Sequence, residues 1–101
     1  MAIKYLPWNK AEEPTTEYIS SELSKEYLGK SAFPWPRQHY HGPAKTNHQE
    51  CFWLVRGEIT FQSGDTKIEM KAGDRVFCEK GLSYAIRVNS PAGCFLLVGK
   101  R

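Results

Sequence analysis

His48-Gln49-Glu50-Cys51-Phe52-Trp53-Leu54-Val55-Arg56-Gly57 is an acid followed by six mostly apolar residues and a glycine. A second stretch, Lys71-Ala72-Gly73-Asp74-Arg75-Val76, is a Gly-Asp turn that enters another apolar run. Side chains alternate across a strand. His48, Glu50, Phe52 and Leu54 therefore share one face, and Cys51, Trp53 and Val55 share the other. A carboxylate on an inward face is costly unless it is paired or bound, so Glu50 is the first candidate for a binding or catalytic role. His48 joins it by parity.

Outward from this segment the pattern repeats. Short apolar runs at 49–55, 58–62, 66–70, 75–78, 82–88 and 93–98 are separated by Gly57, Ser63-Gly64-Asp65, Ala72-Gly73-Asp74, Lys80-Gly81 and Pro91-Ala92-Gly93. Regular short strands with turn signals predict a β-sandwich or barrel. Tyr84 shares a face with Leu82, Ile86 and Val88, so it points inward. The last run, Cys94-Phe95-Leu96-Leu97-Val98, is apolar on both faces. Its second face needs a cover, either a helix or another subunit.

Ahead of the strands, residues 2–6 read as a short strand stopped by Pro7. Thr15 or Thr16 can cap a helix, Glu17 suits its first turn, and Ile19, Leu23 and Tyr27 recur at helical spacing. A helix over 15–28, ended by Gly29, is predicted. Phe33-Pro34-Trp35-Pro36 is extended, because a residue before proline avoids the helical region.

Glu50 to Gly57 resembles the end of the first of two motifs of the cupin superfamily, which reads HxH, a few residues, E, six residues, G. Gly73 to Tyr84 resembles the second motif: G, five residues, PxG, two residues, H. Here Glu79 stands for the proline and Tyr84 for the histidine, while Gly73 and Gly81 keep their spacing. The resemblance covers about residues 38–98. It implies an all-β fold, a small cupin-type barrel (jelly roll) with a short N-terminal helix, in a single domain over 1–101. It also implies a divalent metal bound by the HxH pair, the glutamate and the later histidine. His39-Tyr40-His41 has the internal spacing of that pair, but eight residues, Gly42 to Gln49, separate it from Glu50 where three or four are usual. In the strict register the pair falls near Pro43 and Lys45, which bind no metal.

His39, His41, His48 and Glu50 are thus the candidate metal ligands, for Zn, Fe, Ni or Mn. With Tyr84 in place of the last ligand, the expected site is weak. Glu50, Tyr84 and His48 are the candidate catalytic residues, with a histidine as base and the phenol as donor. The expected function is binding or transformation of a small organic molecule in the barrel. The alternative is a non-catalytic ligand-sensing or protein-interaction module that has lost the metal site.

Composition narrows the rest. The 101 residues suffice for one domain with a modest core, which with Trp53 and the doubly apolar last strand points to a homodimer. The net charge of +3 comes without a basic run among aromatics, which argues against nucleic acid. No stretch is long and apolar enough for a bilayer, and no secretory leader is recognised at the start. The three cysteines lack CxxC spacing and read as small apolar residues of a reduced, cytoplasmic protein.

Overall fold

The structure is a computed structural model, and it describes residues 3–101. The expected strand over 2–6 is found as β1 (Ile3–Leu6), the first residue of that expectation lying outside the described residues. Helix α1 (Thr16–Glu26) follows, with the Thr15 side chain accepting the Tyr18 N–H at its start. Then come β2 (Gly29–Trp35), β3 (Tyr40–Lys45), β4 (Glu50–Arg56), β5 (Glu58–Ser63), β6 (Thr66–Lys71), β7 (Arg75–Cys78), β8 (Ser83–Val88) and β9 (Cys94–Lys100).

The helix stops earlier than its apolar spacing predicts. Tyr27 takes extended geometry and its N–H donates to the Leu23 carbonyl. The gain is packing: the Tyr27 ring lies where any Cβ on Gly99 would come within 2.8 Å. Gly29 consequently opens β2 instead of capping the helix.

The strands form two antiparallel sheets, β1-β7-β4-β9-β2 and β3-β8-β5-β6. Among the described residues no strand pairing joins the two, so the expected closed barrel is in fact a two-sheet sandwich. At one edge of each sheet the residues oppose a further pairing. β2 and β3 are edge strands, and each carries a proline, Pro34 and Pro43, that offers no N–H to a further ladder.

Alternation assigns two cores. Phe52, Leu54, Ile59, Phe61, Val76, Ile86, Leu96 and Val98 fill the space between the sheets. Cys51, Trp53, Val55 and Leu97, on the opposite faces of β4 and β9, meet Ile19, Leu23 and Tyr27 of the helical segment. The second apolar face of β9 is thus covered from within the chain. Trp53 is likewise enclosed, its indole N–H donating to the Gly73 carbonyl at 2.7 Å.

Two polar side chains lock the turns that hold the sandwich ends. Buried Thr46 donates to the Glu79 carbonyl at 2.7 Å and accepts the Leu82 N–H at 2.8 Å. This ties the loop entering β4 to the turn between β7 and β8. Buried Asp74 accepts from the Tyr5 hydroxyl, the Trp8 N–H and the Lys71 N–H at 2.8–2.9 Å. Gly73 beside it has φ of +95°, and a Cβ there would collide with the Trp8 ring. No helix among the described residues is long and apolar enough to cross a membrane.

Candidate functional site

The site is set by where β4 begins. Glu50 is its first residue, paired in register with Cys78 of β7 on one side and Lys100 of β9 on the other. Parity turns its side chain inward with Phe52. Its relative exposure is only 7%. Tyr84 reaches the same space from β8 and His41 from β3, and the Tyr84 hydroxyl lies 3.3 Å from His41 Nε2.

These three line one cavity of about 210 Å³ with Phe33, Trp35, Ala44, Phe52, Val98 and Lys100. Its aromatic walls are mutually packed. Tyr84 stacks on Phe61 at 5.5 Å between centroids and tilts against Phe52 at 5.0 Å. Trp35 stacks with the rings of His39 and His41 at 4.8 and 5.1 Å. His39 is half-buried against that indole but is not among the cavity's lining residues.

Of the eight residues between His41 and Glu50, four complete β3 and four form the loop into β4. A register shift between His41 and Ala44 adds a residue at Gly42-Pro43. With the shift, His41 and Ala44 both face the cavity although they are an odd number apart. His48 behaves otherwise. It sits in the bend before β4, exposed, so strand parity never applies to it and it does not join Glu50 in the cavity. Among the described residues, no three His, Cys, Asp or Glu side chains cluster as a metal site.

Burial governs the protonation states. Burial, with a smaller contribution from the Glu50 charge, pushes the Tyr84 phenol up to about 12. Burial and the neighbouring His39 hold the His41 imidazole below its ordinary value. At neutral pH the cavity therefore presents a protonated phenol and a neutral imidazole able to act as base or acceptor, beside the side chains of Glu50 and Lys100. Among the described residues the carboxylate of Glu50 has no hydrogen-bond partner, and the one ion pair is Lys25–Glu22. Glu50 also borders an outer cleft of about 280 Å³, between β1, the end of α1 and β7, where Tyr27, Phe77 and Arg101 lie.

Residues 30–92 match the family described as EutQ-like cupin domain. The chain belongs to this cupin family. Solved structures give the same fold. An RmlC-like cupin from Shewanella frigidimarina aligns with a TM-score of 0.63 at 17% identity, over 71% of this chain and 63% of the other. A Cupin 2 conserved barrel domain protein from Salinispora arenicola aligns at 0.62 and 14%, over 68% of this chain and 58% of the other. The Cnp3 cupin domain of Schizosaccharomyces pombe aligns at 0.67 and 14%, over all of this chain and 63% of the other. This cupin chain thus spans less than two thirds of the length of these relatives. No curated protein sequence matches it.

Among the lining residues that sequence reasoning missed are Phe33, Trp35 and Lys100. The alternation Phe33-Pro34-Trp35 carried the signal for the first two, since it puts both rings on one face. Lys100 lies beyond the last predicted run, 93–98, whereas β9 continues to it.

Proposed function

We propose that this cupin domain is a binding module for a small organic molecule held between the two sheets. One observation carries the reading: an inward carboxylate, Glu50, lies without a partner among the described residues, in a cavity shared with the His41–Tyr84 contact and aromatic walls. Apolar walls with a few convergent polar groups are the usual make-up of a ligand site. A buried carboxylate left unpaired is a cost that a bound ligand offsets.

A resident metal does not fit this donor set. His41 and Glu50 supply two ligands, but His48 lies outside, and the third group, the Tyr84 phenol, keeps its proton at neutral pH. The reading is therefore of a site with at most an exchangeable divalent ion.

The test is a screen of small polar aromatics by nuclear magnetic resonance, reading the Trp35 indole, the His41 ring and the Tyr84 ring. Ala44→Leu, which fills the cavity with a larger apolar side chain, serves as the control. The expected result is a ligand that shifts these signals in the wild type and not in the variant. Ligands whose shifts map to the outer sheet faces, and which the Ala44→Leu protein binds equally, would remove the cavity from consideration and favour an interaction module.

A further inference from the structure

Two groups of opposite charge border the cavity, and they are not spent on one another. Glu50 and Lys100 are direct cross-strand partners on β4 and β9. Such neighbours have Cβ atoms about 5 Å apart, within easy reach of an ion pair. Both line the cavity, yet among the described residues neither takes part in an ion pair. Glu50 lies deep, and among the described residues no polar side-chain atom is buried without a partner, so its oxygens keep access to open space. Lys100 is half-exposed at the rim. On the same sheet the cavity is lined by the flat rings of Phe52, two residues along β4 from Glu50, and of Trp35 on β2.

We propose that the ligand of this cavity is a compact amphion of the α-amino-acid type. Its ammonium group is held by Glu50, its carboxylate by Lys100, and a flat apolar side group by Trp35 and Phe52. The proposal rests on the cavity reading above and deepens it. A ligand with only one charge would satisfy one of the two groups and leave the other facing it unpaired. A cavity of about 210 Å³ also falls below the range of about 300–1,000 Å³ used for drug-sized ligands, which points to a small body. The phenol of Tyr84 and the imidazole of His41 reach the cavity from the facing sheet, beside the Phe52 and Trp35 rings, where they can meet a polar atom of the side group.

Three probes of near-equal size separate the charges: L-phenylalanine, phenethylamine and 3-phenylpropionate. Affinities are measured by calorimetry on the whole chain, with ring signals of Trp35 and Tyr84 followed by nuclear magnetic resonance. The expected result is that phenylalanine binds at least about tenfold tighter than either single-charge probe, since each charge-assisted contact is worth that much or more. Glu50→Gln should remove its advantage over 3-phenylpropionate, and Lys100→Gln its advantage over phenethylamine. The two variants change different strands, so loss of fold in one leaves the other to decide. Equal binding of all three probes, or no loss on Glu50→Gln and Lys100→Gln, overturns the amphion while the cavity reading stands on the shifts at Trp35 and Tyr84. Shifts at neither ring from any probe at millimolar concentration overturn both.

Discussion

The Tyr84 hydroxyl and His41 Nε2 lie 3.3 Å apart across the paired strands β8 and β3. The phenol, pushed up to about 12 mainly by burial, retains its proton and is the natural donor. Among the described residues it has no other hydrogen-bond partner, so Nε2 accepts and the imidazole proton resides on Nδ1. That tautomer requires a neutral ring, which agrees with the downward shift of His41 by burial and by His39.

This relationship gives a pH dependence. A histidine whose folded value is depressed adds stability that is whole above the unfolded value, near 6.5, and is lost as pH falls from there through the folded value. Urea unfolding between pH 8 and pH 5 should therefore show stability declining below about pH 6.5. His41→Gln should flatten that decline. An unchanged profile in the variant would mean that His41 carries no such linkage.

The Gly-Asp turn yields a second prediction. Asp74 accepts two backbone N–H groups and the Tyr5 hydroxyl, joining β1 and the Trp8 segment to the turn before β7. Asp74→Ala leaves those donors facing a site from which their acceptor has gone, at a cost of about 2–4 kcal/mol. For a domain of this length that is roughly 10 °C or more in melting temperature. Asp74→Asn, which keeps one acceptor oxygen, should lose less. A melting temperature within about 2 °C of wild type for the alanine variant would show that Asp74 does not hold the segment.

The thiols are a third. Burial pushes Cys51 and Cys78 up to about 12, and Cys94 is also raised by burial. A nucleophile needs its thiolate form, which burial disfavours here, and Cys51 packs as a core residue under α1. Native protein should react with a disulfide reagent only as fast as it opens, and all three thiols should react at once in denaturant. Fast stoichiometric labelling of Cys51 in the native state would contradict this.

Legibility in the sequence followed physical locality. Strands β4 to β9 were readable because period-two apolar runs lie between Gly-containing turns, and each such signal is local. β2 and β3 were harder: prolines and polar residues interrupt the alternation, and the pairing of β2 with β9 is set by tertiary contact. Glu50, Tyr84 and His41 could be named from residue type and spacing. His48 was misplaced because parity was extended one step beyond the strand, into a bend. Trp53 and the doubly apolar β9 called for a cover, which α1 supplies, so these residues no longer argue for a homodimer. The shift at Gly42-Pro43 could not be read, since a bulge is a property of two strands and only one was in view.

The last prediction turns on Tyr84 itself. The cupin resemblance places a histidine at this position, and the cavity holds one imidazole and one carboxylate close by, His41 and Glu50. In the wild type the third group is a protonated phenol already engaged with His41. Wild-type protein dialysed against metal-free buffer should therefore keep less than stoichiometric metal, and EDTA should leave its melting temperature unchanged. Tyr84→His replaces the phenol with a neutral nitrogen donor, giving two imidazoles and a carboxylate, a set suited to Zn, Ni or Fe. The variant loses the stack on Phe61, so it is compared with itself, with and without metal. Zinc at a hundred times its dissociation constant adds about 2.7 kcal/mol to the folded state, which EDTA should reverse as a drop of several degrees. Stoichiometric metal surviving dialysis in the wild type, with a large EDTA-induced loss of melting temperature, would show that the phenol-containing site is a full metal centre and would sink the reading of Tyr84 as the group that weakens it.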